Sequence, residues 1–248
     1  MDKSFYITKE NVEQYVIKIG NWIKEHIKNS GTNGVVLGMS GGVDCSTVSA
    51  LCAKNGINVH LVLMPYGDNM EKTKNYNDAM ELISKFNISH HIFDIKPAVD
   101  SLEIKDSENN LAKANIRPRV RMTYLYEYAQ INNLLVIGTG NLSERTVGYF
   151  TKWGDGANDL NPVGMITKKE IYILAKHLGV PDSIINKKPS ADLWEGQTDE
   201  QELGISYSQI DEYILNGTCG EEKIDEIIKQ KQDRTEHKLK PIPIFNEE

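Results

Sequence analysis

Cysteine is scarce in this chain: Cys45, Cys52 and Cys219 are the only three among 248 residues. They are too few and too scattered for a disulfide framework, and no C-x-x-C pair or Cys/His cluster offers a zinc site. Ordinary thiols in a reducing compartment are expected. Long apolar runs are missing as well. None approaches the roughly 18 residues that read as a membrane span, and the opening stretch MDKSFYITKENVEQY lacks the basic-then-apolar order of a secretory signal. A cytoplasmic protein with no membrane partner is the expectation. Positive charge is in deficit: 28 Lys and Arg stand against 35 Asp and Glu, a net charge of -7. Nucleic acids and anionic membranes usually demand the opposite excess over a broad surface, so no nucleic-acid partner is expected, although a local basic cluster can still hold a small anion. What remains, 40% hydrophobic and 25% charged residues, is the composition of a globular chain that can bury a sizeable core.

Periodicity supplies the architecture. Val12, Tyr15, Val16, Ile19, Trp22, Ile23 and Ile27 recur at three- and four-residue spacing, the apolar stripe of an amphipathic helix. The short β-branched run 34–38 predicts a buried strand, and 43–54 a helix closed by Asn55-Gly56. The alternation continues with a strand over 59–64, a helix over 71–86, a strand over 89–95, a helix over about 118–131 and a strand over 134–138. Such alternation predicts an α/β fold, a doubly wound and mostly parallel sheet flanked by helices, with ligands at the carboxyl ends of the strands. A polar, glycine-rich stretch follows Phe150, then a helix over 168–178. Residues 186–204 show almost no periodicity and predict a functional lid or a linker. Two helices, about 206–215 and 220–236, close the chain, and no internal repeat is present.

The turn between the first strand and the second helix carries the chemistry. It reads Gly38-Met39-Ser40-Gly41-Gly42-Val43-Asp44-Cys45-Ser46. Successive backbone N–H groups in a tight turn form a concave nest, and the positive end of the following helix adds to its attraction for anions. Gly41 and Gly42 leave the backbone bare, and Ser40 and Ser46 add hydroxyls, so phosphate is the expected guest. A kinase or GTPase loop would need a lysine beside the helix start, and residues 38–50 contain none. The dinucleotide fingerprint G-x-G-x-x-G is absent; its nearest match, Gly138-Thr139-Gly140 through Ser143, lacks the third glycine.

The order S-G-G-x-D-x-S after a buried strand resembles the pyrophosphate-binding loop of the PP-loop ATP pyrophosphatases, which split ATP between its α and β phosphates. Further stretches narrow the likeness. They are Asn115 to Met122, Gly138-Thr139, Glu144, Gly148 to Gly156 (GYFTKWGDG), Asp159-Leu160, Lys168, Pro189 to Leu193, Asp199-Glu200, Glu202 to Tyr207 (ELGISY), Asp211 to Tyr213 and Thr235 to Lys238. Their order resembles the ammonia-dependent NAD synthetases over nearly the whole chain, 1–248, taken as one synthetase domain: a nucleotide-binding core over about 12–180, a mobile lid over 186–204 and C-terminal helices over 206–248. The fold implied is the Rossmann-like one of the adenine nucleotide α-hydrolases.

That resemblance implies an enzyme that joins ammonia to nicotinic acid adenine dinucleotide (deamido-NAD), with ATP as co-substrate and magnesium as cofactor, through an acyl adenylate, releasing AMP and pyrophosphate. By similarity, Gly38, Met39, Ser40, Gly41, Gly42, Val43, Asp44, Cys45 and Ser46 contact ATP, together with Thr139, Lys168 and Ser190. Cys45 replaces the family's usual Ser, and Ser190 its usual Thr. Asp44 and Glu144 are implied to hold magnesium, and Asp44 and Lys168 to be catalytic. Arg119, Lys152, Asp159, His237 and Lys238 match the positions that bind deamido-NAD. Helical spacing puts Arg117 and Arg121 on one face and Arg119 on another, so the three cannot grip one phosphate. The likeness also implies a homodimer, and 248 residues leave no room for the amidase domain of glutamine-using relatives. Two rival readings start from the same residues: another PP-loop enzyme, such as a GMP synthetase or a tRNA-thiolating enzyme, and a nicotinamide-nucleotide binding protein using Gly138-Thr139-Gly140. A third is a catalytically dead regulator that retains the fold, suggested by Cys45.

Overall fold

Four short strands pair into the sheet at the centre of the molecule, the first two apolar and rich in valine and leucine. The computed structural model describes residues 5–67, 73–102, 108–189 and 198–246. Strands β1 (Val35–Gly38), β2 (Val59–Leu63), β3 (Ser89–Ile92) and β4 (Leu135–Val136) are all parallel, in the order β3-β2-β1-β4. Val35 of β1 sits opposite Val59 on one side and Leu135 on the other, and a parallel bridge from Ile137 to Leu160 extends the sheet beyond β4. The winding runs outward from β1 through β2 to β3, then crosses back to the far side of β1 for β4. This reversal makes a crevice at the carboxyl ends of β1 and β4, where open α/β sheets bind ligands.

Strand alternation sends side chains to two cores. Val35 and Leu37 pack into one with α1 (Val12–Ser30), α2 (Val43–Lys54), α3 (Lys74–Phe86) and α8 (Lys168–Leu178). Val36, Val62 and Val136 pack into the other with α4 (Lys96–Leu102) and α6 (Ile116–Asn132), while α5 (Asn110–Ala114) runs just ahead of α6. Along α1, Val12, Val16 and Ile23 are buried, as the stripe predicts, whereas Trp22 is 38% exposed. In α2 every residue from Cys45 to Cys52 is buried. Its small polar side chains tolerate this by bonding back along the helix: Thr47 Oγ1 donates to Val43 O at 2.7 Å and Ser49 Oγ to Cys45 O at 2.6 Å.

A third, smaller core joins α7 (Leu142–Thr146), α10 (Asp199–Leu203), α11 (Tyr207–Asn216) and α12 (Glu222–Thr235) through Val147, Leu203, Ile205, Tyr207, Ile210 and Ile228. Between α8 and this unit lies α9 (Asp182–Ile185), and a 3-10 turn, Glu236–Lys238, ends the helical part. The short helices α4, α5, α7, α9 and α10 have seven residues or fewer, too few for a periodic pattern to show in sequence. Thus α10 corrects the expectation that 186–204 is structureless throughout. Residues 190–197, including Ser190, lie outside the described residues. The helix expected from about 118 begins at Ile116, with Pro118 still inside its first turn, where no N–H is required. Among the described residues no helix is long and apolar enough to cross a membrane.

Candidate active site at the strand crossover

The predicted loop leaves β1 at Gly38 and enters α2 at Val43. Gly41 has φ +76°, and a Cβ there would meet Asn75 O at 2.3 Å, so only glycine fits this turn. Gly42 N donates to Ser40 Oγ at 3.3 Å, and Cys45 Sγ lies 3.3 Å from the same oxygen and 3.2 Å from Gly42 O. Cys45 therefore packs against the loop from the first turn of α2. Unlike its neighbours in α2, Ser46 Oγ is buried with no hydrogen-bond partner among the described residues. A buried hydroxyl left unpaired is rare enough to point to a missing partner.

Three helices bring charged side chains to this point. Asp44 lies in the first turn of α2, Glu144 in the first turn of α7, and Lys168 opens α8. A cation at a helix start opposes the helix dipole, and two carboxylates offset that cost. Lys168 Nζ donates to Asp44 Oδ2 at 2.6 Å and to Glu144 Oε1 at 3.2 Å. It also lies 4.7 Å from the centre of the Tyr207 ring. Lys168 is 3% exposed. Burial pulls its ammonium down, but Asp44 and Glu144 outweigh this and hold it above the ordinary lysine value. The side chain is consequently a fixed positive charge rather than a base.

The carboxylates are held in turn. Asn141 accepts from Glu144 N at 3.0 Å, receives Glu144 Oε2 on its own N–H, and donates Nδ2 to Asp44 Oδ1 at 2.9 Å. One asparagine thus caps α7 and aligns both acids. Tyr207 OH lies 3.3 Å from Glu144 Oε1 and donates to Asp199 Oδ2 at 2.9 Å, and Tyr149 OH reaches Asp199 at 3.2 Å and Glu202 at 2.8 Å. Asp44, Glu144 and Asp199 outnumber the single Lys168. Burial, with Asp44 and Asp199 adding to it and Lys168 opposing, pushes the Glu144 carboxyl up to about 7. Burial likewise raises Asp199.

Beneath this layer, buried Asp211 of α11 fastens the start of α8. Ser143 Oγ donates to Asp211 and accepts from Lys168 N at 2.8 Å, while Lys169 N donates to Asp211 at 2.9 Å. Burial raises the Asp211 carboxyl against these bonds.

A second group gathers beside α6. Arg119 Nε donates to Lys152 O at 3.4 Å, Lys152 Nζ donates to His237 O at 2.7 Å, and Lys238 Nζ donates to Gly148 O and Phe150 O at 2.7 and 2.8 Å. Four of the five residues expected to bind the acceptor are therefore linked. Asp159 has other partners: it accepts from Val136 N at 2.7 Å and from Tyr126 OH at 3.2 Å, beside β4. Arg121 Nε reaches Met64 O at 3.0 Å and Arg117 stacks 3.9 Å over Tyr66, so these two do share a face that Arg119 leaves. Thr139 follows β4 beside Gly138, at the same end of the sheet.

The NAD synthase family model matches residues 15–242. The chain belongs to the NAD synthase family. It is 41% identical to the NH3-dependent NAD synthetase of Carboxydothermus hydrogenoformans over 94% of this chain and 97% of that one, and equally to that of Archaeoglobus fulgidus, with the same coverage. Among solved structures, NMN synthetase from Francisella tularensis superposes with a TM-score of 0.90 at 37% identity, covering 97% of this chain and 100% of that one. The NH3-dependent NAD synthetase from Campylobacter jejuni, in complex with nitrate ion, superposes at 0.78 with 34% identity, covering 95% and 99%.

In this NAD synthase the glycine loop and its charged neighbours lie at the strand crossover. The phosphate loop, Asp44, Glu144 and Lys168 were legible from sequence and come together. Asn141, Ser143, Tyr149, Tyr207 and Asp211 carry no predicted role although they orient those groups. Two signals for them were present: Asn141-x-x-Glu144 is a capping-box spacing, and Asp211 follows the core residue Ile210 in a helix.

Proposed function

We propose that this chain amidates nicotinic acid adenine dinucleotide with ammonia, consuming ATP and releasing AMP and pyrophosphate. The observation that carries this reading is the buried Lys168 ammonium, shared between Asp44 and Glu144 beside a glycine loop. A carboxylate cannot expel oxide, so it must first be activated. Its oxygen forms a bond to the α-phosphorus while the bond from that phosphorus to the bridging oxygen breaks, and pyrophosphate leaves. Ammonia then forms the C–N bond, the C–O bond to AMP breaks, and nitrogen gives up a proton. The backbone N–H groups of the loop receive the leaving pyrophosphate. Lys168, permanently charged, faces the negative charge that develops on the phosphorus oxygens, and such a fixed charge costs no reorganisation. Arg119, Lys152, His237 and Lys238 hold the acceptor.

Magnesium fits this donor set. Among the described residues no group of three or more His, Cys, Asp or Glu side chains is placed to hold an ion alone. Asp44 and Glu144 instead offer two hard carboxylates, the number Mg²⁺ typically takes before completing its shell with phosphate and water. When bound, the ion would offset the charge of the leaving pyrophosphate. Homodimer formation and a cytoplasmic location belong to the same proposal.

A second reading concerns acceptor length. The higher TM-score to NMN synthetase, 0.90 against 0.78, favours including nicotinic acid mononucleotide as a competing acceptor for the same chemistry. One experiment addresses both. The purified protein is incubated with ATP, magnesium, ammonium and each acceptor in turn, then with the two in competition. NAD or NMN should appear with one AMP per amide. ADP in place of AMP would refute the mechanism, and the ratio of kcat/KM values decides the acceptor.

A further inference from the structure

A second lysine, distinct from Lys168, is anchored on the backbone of the glycine loop. Lys187, in the turn after α9, donates from Nζ to Gly41 O at 2.7 Å, to Asn75 Oδ1 at 2.6 Å and to Asp78 Oδ2 at 2.8 Å. These acceptors engage all three ammonium hydrogens. Asp78 is 4% exposed, whereas the Lys187 side chain is 20% exposed, so a part-buried ammonium meets a buried carboxylate. The three acceptors belong to the glycine loop and α3, and Lys187 ties both to the segment after α9.

In a trans peptide the carbonyl and the following N–H point in opposite directions. Fixing Gly41 C=O on Lys187 therefore turns the Gly42 N–H to the other side, where it meets Ser40 Oγ at 3.3 Å. A nest binds an anion only while its N–H groups converge and its carbonyls face away. Gly41 cannot rely on its own conformational preference for this, since φ +76° is one of several states glycine visits freely. The contact with Asn75 O limits its packing, and Lys187 sets its direction.

We infer that Lys187 is a positioning residue that holds the Gly41 peptide in the orientation needed to bind the pyrophosphate part of ATP, without itself touching the nucleotide. This rests on the proposed role of the loop as the pyrophosphate site.

Removing Lys187 alone would strand Asp78 as a buried charge, so the test compares two proteins. Asp78→Asn keeps the ammonium on Gly41 O; the double variant Lys187→Met with Asp78→Asn removes both charges together. Steady-state kinetics are measured with ATP and acceptor varied separately, along with inhibition by inorganic pyrophosphate. In the double variant, KM for ATP and Ki for pyrophosphate should both rise about ten- to a hundredfold, the range for losing a hydrogen bond from a charged donor. KM for the acceptor should change little, and Asp78→Asn should stay near wild type in all three. Unchanged ATP and pyrophosphate constants in a folded double variant overturn the inference. If the double variant does not fold, Lys187→Met with Asp78→Leu serves instead: it also removes the donor to Gly41 O and replaces the ion pair with apolar side chains, so wild-type constants there also overturn it. Failure of the wild type to be inhibited by pyrophosphate refutes the parent reading of the loop, a separate outcome.

Discussion

Replacing Lys168 by Met tests how far the acid cluster depends on one ammonium. The side chain is 3% exposed and bonded to Asp44 at 2.6 Å and Glu144 at 3.2 Å; methionine keeps most of its bulk and removes only the charge. Stripping one partner from a buried pair costs about 3–5 kcal/mol. For a chain of about this size each kcal/mol moves Tm by roughly 2–4 °C, so a fall of about 6–20 °C is expected near pH 8. The pH dependence fixes the cause. Folding raises the Glu144 carboxyl from 4.5 to about 7, so its contribution to stability is present below the lower value and is lost as pH rises through the upper one. Lys168 opposes that rise; without it the Glu144 carboxyl moves higher still, and more stability is lost at neutral and alkaline pH. The gap between wild type and variant should therefore be wide near pH 8 and narrow near pH 5, where Glu144 is protonated in both. Thermal unfolding followed by far-ultraviolet circular dichroism at the two pH values reads it directly. Equal Tm values at pH 8, or a gap that widens toward acid, would refute the reasoning. Turnover should drop by about 10²–10³, the scale of one lost transition-state charge.

Other substitutions probe the remaining assignments. Asp44→Asn keeps the Asn141 contact in shape but removes the charge, and kcat at saturating ATP should fall to the detection limit in a folded protein; full activity would remove Asp44 from the chemistry. Cys45→Ser should leave kcat/KM for ATP within about threefold, since a hydroxyl can replace the thiol's contacts with Ser40 Oγ at 3.3 Å and Gly42 O at 3.2 Å, and the remaining one, to Met39 Sδ at 3.5 Å, is weak; a large loss would mean the thiol shapes the loop. Asp211→Ala leaves the Ser143 hydroxyl and the Lys169 N–H without their acceptor, at about 1–3 kcal/mol each. Urea unfolding should show a loss of about 2–6 kcal/mol, and an unshifted midpoint would contradict the anchoring role.

The elements that sequence made legible are those in which local pattern and tertiary environment agree. Residues 43–54 and 168–178 were delimited correctly as α2 and α8 because capping residues bracket them: Glu170 Oε2 accepts both the N–H and the hydroxyl of Thr167, and Gly179 ends α8 at φ +78°. The same holds for the glycine loop, whose function requires bare backbone in a fixed place. Contacts across long stretches of chain were not legible. Nothing near Asp211 in sequence indicates that it fastens Lys168, 43 positions earlier, or that Lys187 reaches back to Gly41; these pairings arise only when α8, α9 and α11 pack on the sheet. Asp159, matched by motif to an acceptor-binding position, also accepts one hydrogen bond on each carboxylate oxygen beside β4, from Tyr126 and Val136, contacts that no motif announces.

The attachment of Lys238 to the carbonyls of Gly148 and Phe150 has an implication for biosynthesis. A nascent chain that has displayed its entire sheet still lacks the clip on the 148–150 segment, and until Tyr207 and Asp211 emerge it also lacks the braces around Glu144 and α8. Catalytic competence should thus be acquired late on the ribosome, after nearly every nucleotide-facing residue is already outside.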